Sequence, residues 1–277
     1  MNWKRLALIP ALAGLFILAP VARTLRVMTF NVRYPSPGDG SNLWDLRRDL
    51  LVRTIHKFRP DILGTQELFQ LQGEYIAGKL PGYAWFGISR YGNHENEHMG
   101  IFYRKDRFRI VDSGNFWLSQ TPDVPGSQSW GTDLPRMVTW ALFETGGKQR
   151  FYFFNTHFPH RQQDAAARLE CARVLADRLK QLPGEVPVVL TGDFNTGADS
   201  EPYGILTGDL QDAWKSAAIR TGPEGTTHGF SGTPGRRRID WILYRGFRGT
   251  KQAETVVYHK GKSYPSDHFP VTAILYR

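Results

Sequence analysis

A layered α/β fold, with helices covering its sheet structure, is what this sequence predicts. Three observations carry the expectation. Short apolar runs of strand length recur from Leu25 to Tyr276, two longer stretches place apolar residues at helical spacing, and no Pro/Ser/Gly-rich linker or internal repeat divides the chain. The apolar runs also tend to end in polar clusters, the place where α/β sheets gather their sites.

Leu25, Val27, Met28 and Phe30 mark the first strand, and the Pro/Gly/Asp/Ser-rich stretch Pro35 to Gly40 is a loop after it. Trp44, Leu51, Ile55 and Phe58 follow at helical spacing until Arg59-Pro60, where proline lacks the N–H that a helix needs. Asp61 to Thr65 is a short strand that delivers Gln66-Glu67. Gly100–Tyr103, Val138–Phe143 and Phe151–Asn155 are further strands, the last two joined through Gly146-Gly147 as a hairpin. Leu169, Ala172, Ala176 and Leu179 mark a long amphipathic helix that Leu182-Pro183-Gly184 ends. Val186 to Leu190 leads into Gly192-Asp193-Phe194-Asn195, and Ile239–Tyr244 and Val271–Tyr276 close the chain.

With 277 residues, 41% of them hydrophobic, the chain has enough apolar material for a full core. The polar clusters run from Asn31 to His268, so one domain over residues 23–277 is expected, as a monomer. Residues 1–22 are read separately. Lys4 and Arg5 precede the apolar run Leu6 to Pro20, the pattern of an export signal, and a periplasmic or secreted protein is expected. Pro20 stands where a small residue is wanted before cleavage at Ala22, which leaves an uncleaved N-terminal anchor as the alternative and the one route to a membrane. Lone Cys171 has no intramolecular partner and reads as an inert buried thiol.

A formal charge of +9 favours anionic partners. The excess gathers late, in Arg236, Arg237, Arg238, Arg245, Arg248, Lys251, Lys260 and Lys262, without the interleaved aromatics of a single-strand binding groove.

The chemistry lies in Gln66-Glu67, Asn155-Thr156-His157, Gly192-Asp193-Phe194-Asn195 and Ser266-Asp267-His268, with Asn31 and Asp240 at other strand ends. Carboxylates, carboxamides and histidines without cysteine are an inventory for a hard divalent cation, Mg²⁺ or Mn²⁺, and a phosphate. Asp193 and Asn195 are two apart and project to one side of an extended segment. Arg136 opens a strand and either reaches a phosphate or is a surface arginine beside a turn. His228, with Phe230, is a candidate for the substrate side. The stretch Asn93 to His98 has the composition of a second metal site, but it leads directly into a strand and is read as a solvated loop.

In order and spacing these motifs resemble the endonuclease/exonuclease/phosphatase superfamily, the deoxyribonuclease I-like Mg²⁺-dependent phosphoesterases, over residues 25–276. The segment Phe116 to Pro122 places the likeness in a bacterial branch. The resemblance implies a four-layer α/β sandwich, two packed, mostly antiparallel sheets with helices outside. It makes Glu67 the principal metal ligand, with Asn31 beside it and Asp267 on the metal side. Asp193 would orient or deprotonate the attacking water, and Asn195 would hold the phosphoryl oxygens. His157 and His268 would stabilise charge on the phosphate, with Asp240 orienting His268. Apart from the resemblance, Arg136, Asn155 and His228 are candidates for further phosphate and substrate contacts. Repair-type relatives carry an acid two residues after the first Asn, where this chain has Arg33. A hydrolase of a small phosphomonoester or phosphodiester is therefore expected (sugar phosphate, nucleotide or lipid head group). A secreted nuclease acting on nucleic acid is the alternative, and a silent binding protein on the same fold the third.

Overall fold

The computed structural model describes residues 24–277, so the stretch read as an export signal lies outside the described residues. A seven-stranded sheet runs, in spatial order, Ala217–Thr221 (β10), Gly249–Thr255 (β12), Val271–Tyr276 (β13), Thr24–Asn31 (β1), Ile62–Gln66 (β2), Ile101–Arg104 (β4) and Tyr83–Phe86 (β3). A six-stranded sheet runs Phe108–Trp117 (β5), Met137–Thr145 (β6), Arg150–His157 (β7), Val188–Asp193 (β8), Asp240–Arg245 (β11) and Gln211–Asp212 (β9). Neighbours are antiparallel except β1 with β2, β10 with β12, and β7 with β8.

Side-chain alternation along the strands builds the layers. In β1, Val27 faces the other sheet and packs among Ile62, Ala273, Phe153, Val189 and Ile242, while Met28 and Phe30 face outward. The outward residues meet Leu51 and Ile55 of helix Trp44–Phe58 (α1), and helix Gln70–Lys79 (α2) lies on the same face through Ile76. On the second sheet, Val188 and Leu190 point away from Val189 into Cys171, Leu175 and Leu179 of helix Ala165–Lys180 (α3), with Leu206 of helix Glu201–Thr207 (α4). The result is helix, sheet, sheet, helix, the expected four-layer sandwich. Burial pushes the Cys171 thiol up, so it stays protonated and inert.

Local chemistry explains the boundaries. α1 ends where Arg59 takes a left-handed φ of 52° and returns its N–H to the Ile55 carbonyl, with Pro60 blocking continuation. The expected hairpin at Gly146-Gly147 joins β6 to β7 in antiparallel register, Glu144 opposite Arg150. α2, β3, β5 and most of the elements between residues 201 and 255 have no counterpart in the sequence reading. β10 is the edge strand of its sheet and β12 lies next to it, and their polar side chains hide the apolar alternation a strand otherwise shows.

Candidate active site

The strand registers bring the polar clusters to one rim. Asn31 pairs with Gln66 across β1 and β2, His157 with Asp193 across β7 and β8, and Asp240 with Asp193 across β11 and β8. Two sheets therefore end together in one cluster of carboxylates and histidines.

Beneath the rim the sheets are stitched by a buried polar network. Gln66 Nε2 donates to Thr29 Oγ1 at 3.1 Å and to Asn155 Oδ1 at 2.7 Å, and Thr191 Oγ1 donates to the same Oδ1 at 3.1 Å. Asn155 Nδ2 donates to the carbonyls of Thr65 and Gly100. The expectation that Asn155 binds phosphate is thus overturned: its amide is spent holding the sheets together, with no surface left for a ligand. Gly64 makes the approach feasible, because a Cβ there would lie 2.2 Å from Thr191 Oγ1 and 2.5 Å from Asn155 Oδ1.

Above the network, Asn31 Nδ2 donates to Glu67 Oε1 at 2.9 Å and to Asp193 Oδ2 at 3.0 Å, while Asn31 Oδ1 accepts from the Arg33 N–H. Asn31 thus differs from the expected metal-side ligand: its N–H groups face the carboxylates, and it aligns them. Glu67 Oε2 accepts from the Tyr34 N–H. Glu67, Asn195 and Arg33 all have left-handed backbones, with φ of 58°, 51° and 55°. Such conformations cost about 1–3 kcal/mol each outside glycine and gather at functional sites. In Gly192-Asp193-Phe194-Asn195, Phe194 is buried and stacks on Trp241 at 4.2 Å, which anchors the segment. The Asn195 N–H donates to Asp193 Oδ1, and Asn195 Nδ2 donates one bond to the Phe158 carbonyl.

Asp193 Oδ2 lies 3.6 Å from His157 Nε2 and 3.8 Å from His268 Nε2. His268 Nδ1 donates to Asp240 Oδ2 at 3.0 Å. These buried groups are driven apart in acidity. Burial and then Asp240 push Asp193 up to about 7, against the pull of His268 and Asn31. Burial opposes charge on His268, but Asp240 and Asp193 outweigh it and raise the imidazole well above the usual histidine range. Burial, with Arg136 and Arg90 nearby, holds His157 well below it. At neutral pH His268 is a cation, His157 a neutral ring and Asp193 a carboxyl group close to its midpoint, poised to exchange a proton.

Loops fix this cluster through residues the sequence reading passed over. Arg47 of α1, 1% exposed, donates to the carbonyls of Val32, Arg33, Asn42 and Pro265, and so clamps the Asn31 loop to the Asp267 loop. The Ser266 hydroxyl adds a bond to the Asn31 carbonyl at 2.7 Å. A buried arginine at a helical position carries no local signal of that role. Arg33 pairs with Asp39 at 2.8 Å, and its charge is also felt by Asp267 and Glu67. His228 stacks on Phe269 at 4.0 Å, its Nδ1 accepts from the Gly232 N–H, and its buried Nε2 has no hydrogen-bond partner. Burial brings it to about 4, so it is neutral beside half-buried Asp267. Arg168 is structural, donating to the carbonyls of Pro159 and Arg161. In the loop read as solvated, residues 91–95 are exposed, but His98 is buried against Trp85.

Residues 28–268 match the model of the Endonuclease/Exonuclease/phosphatase family. The chain belongs to that family. An endonuclease/exonuclease/phosphatase family protein of Bacteroides thetaiotaomicron has the same fold, with a TM-score of 0.85 at 34% identity over 92% of this chain and 98% of that one. A mannosyl-6-phosphatase of the same organism superposes with a TM-score of 0.85 at 34% identity, over 91% of this chain and 99% of that one. An uncharacterized protein of Acanthamoeba polyphaga mimivirus is 31% identical over 162 residues, 55% of this chain and 59% of its own length. The chain spans about half the length of the curated relatives it matches, 59%, 44% and 50% for the first three. Members of the family hydrolyse phosphoester bonds and usually use a divalent metal.

The donor set here fits such an ion: Glu67, Asp193, Asp240 and Asp267 supply hard oxygens, and buried Asp240 Oδ1 has no hydrogen-bond partner. Asp193, Asp240 and His268 offer atoms within 4.8 Å of one another. That trio is already joined by the proton of His268, and a protonated imidazole cannot ligate.

Proposed function

We propose that this protein is a divalent-metal-dependent hydrolase of small phosphoesters, with sugar phosphates the first class to try. The observation that carries the reading is the placement of Asp193, tied through Asn31 to Glu67 on one side and facing two histidines, one neutral and one cationic, on the other. Glu67, with Asp267 on the same side, would hold Mg²⁺ or Mn²⁺, which supplies charge neutralisation at the phosphoryl oxygens.

The rest follows from side chains. Asp193, oriented by Asn31 and the Asn195 N–H, accepts a proton from the attacking water. The water oxygen bonds to phosphorus as the ester P–O bond breaks, and the leaving oxygen departs with the bonding pair as an alkoxide that takes a proton from solvent to become the alcohol. His268, kept cationic by Asp240, opposes the charge that develops on the phosphoryl oxygens, and His157 and Asn195 donate to them. A small substrate is favoured over a nucleic-acid polymer because the late basic run is partly consumed: Arg238 is buried on Asp212 at 2.6 Å, and Arg245 pairs with Asp209. The mannosyl-6-phosphatase likeness points the same way. Residues 1–22 supply the reason to place the protein outside the cytoplasm.

The test is hydrolysis by purified protein, with Mg²⁺ or Mn²⁺, of phosphorylated sugars, nucleotides, inositol phosphates, phospholipid head groups, DNA and RNA. Turnover of a polymer alone would replace this reading with a nuclease.

A further inference from the structure

Two guanidinium groups beside the cluster keep buried N–H groups without an acceptor. Arg90 is 1% exposed and Arg136 is 4% exposed. Both leave the same small apolar cluster, in which Met99, Trp117 and Met137 pack with Ile88. Backbone bonds fix them relative to each other: Trp117 Nε1 donates to the Arg90 carbonyl at 2.6 Å, and the Leu118 N–H to the Arg136 carbonyl at 2.7 Å. Arg136 immediately precedes β6, whose Val138 is paired with Thr156, so it stands at the strand end next to His157.

Their direct partners are few. Arg90 pairs with Glu97, and Arg136 Nη2 meets His160 Nδ1 at 3.0 Å. Nε and Nη1 of both arginines are buried without a hydrogen-bond partner. Orphaned N–H groups of this kind are costly and call for an acceptor. Burial and the neighbouring Arg136 lower Arg90 to about 9, and burial lowers Arg136 as well; a guanidinium stays protonated inside proteins, so both groups are cations at neutral pH.

We propose that Arg90 and Arg136 form a subsite for the non-bridging oxygens of a terminal phosphoryl dianion, which makes the protein prefer phosphomonoesters to phosphodiesters. The inference rests on the phosphoester-hydrolase reading above and narrows its substrate class. A monoester brings close to two negative charges and three acceptor oxygens at neutral pH, and guanidinium forks match such oxygens in geometry and charge. A diester brings one charge, and its second ester group would set carbon against buried N–H groups. Arg136, the less enclosed of the two, meets the phosphoryl group first, and Arg90 adds the second charge behind it.

The experiment compares p-nitrophenyl phosphate with bis(p-nitrophenyl) phosphate in the presence of Mg²⁺, and measures inorganic phosphate binding by calorimetry. Wild type is expected to favour the monoester. Arg90→Gln and Arg136→Gln should each lower monoester kcat/KM by about 30-fold or more, reduce diester turnover far less, and weaken phosphate binding; Arg90→Lys should recover part of the loss. If Arg90→Gln does not fold because Glu97 is left unpaired, Arg90→Gln with Glu97→Gln removes the pair together. Equal losses on both esters with phosphate binding intact would overturn the subsite. Wild type that cleaves the diester but not the monoester would also overturn it and leave the hydrolase reading standing. A protein that cleaves neither, yet loses phosphate binding on substitution of Arg90 or Arg136, would keep the subsite and sink the hydrolase reading.

Discussion

Asn31 and Asp193, 162 positions apart in the chain, are joined by one 3.0 Å hydrogen bond, and the same Asn31 amide donates to Glu67 at 2.9 Å. This one side chain sets the spacing between the Glu67 and Asp193 carboxylates. Asn31→Leu should therefore lower kcat by roughly 10²-fold with the fold retained. Circular dichroism beside steady-state kinetics checks it, and near wild-type turnover would remove Asn31 from the mechanism.

Chelation should abolish activity, and Mg²⁺ or Mn²⁺ should restore it, since the nearby donors are hard oxygens. Glu67→Gln should shift the metal activation curve to higher concentration. Full turnover by metal-stripped protein in excess chelator would be incompatible with the assignment.

The Asp193 carboxyl gives a pH prediction with a definite sign. It is raised to about 7 in the folded protein, whereas an unfolded aspartate titrates near ~3.9. Between these values the native state holds more protons than the unfolded state, so the Asp193 contribution to stability falls as pH rises. Asp193→Asn should abolish turnover yet be more stable than wild type above pH ~7, by on the order of 2 kcal/mol, with the gap closing below pH ~4. Urea melts in chelator across pH measure this. A variant less stable at every pH would contradict the burial account of Asp193.

His268 owes its raised value to Asp240 and Asp193. In wild type the rate should rise with pH as Asp193 ionises near 7 and fall at higher pH as His268 loses its proton. Asp240→Asn should move the descending limb to lower pH, and His268→Ala should cost kcat roughly 10²-fold. An unmoved descending limb in Asp240→Asn would assign that limb to another group.

Arg47→Met should destabilise by about 3 kcal/mol, because buried carbonyls in the loops carrying Asn31 and Asp267 lose their donor. The melting temperature and activity should fall together. Unchanged stability would show that water replaces the guanidinium.

Residues 1–30 fused to a reporter active only outside the cytoplasm should give signal, given Lys4-Arg5 and the apolar run to Pro20. A reporter that stays soluble in the cytoplasm would reject both signal and anchor.

Much of this protein was legible because local chemistry governs it. Strands β1, β2, β6, β7, β8, β11 and β13 are buried on one or both faces and therefore apolar in sequence, and α1 and α3 carry their apolar stripe and their stops at Pro60 and Pro183. Edge strand β10, its neighbour β12 and the polar helix α2 were not legible, since they bury too few apolar side chains to leave a pattern. The sequence by itself determined the layered α/β class and the inventory of site side chains, with Glu67, Asp193, Asp240 and His268 among them, because residue type and strand-end position are local properties. Only the tertiary structure decided how they divide the work. Asn155 lies two residues before His157 on the same strand, yet one is spent between the sheets and the other faces Asp193. Arg90 and Arg47 look like ordinary basic residues, and Arg136 like either a phosphate contact or a surface arginine, until folding buries them, Arg47 under carbonyls and the other two with N–H groups unpaired. The physical reason is that burial, charge neighbours and hydrogen-bond partners are set by which distant strands and loops pack together, and those quantities fix acidity, charge state and what a side chain has left to bind.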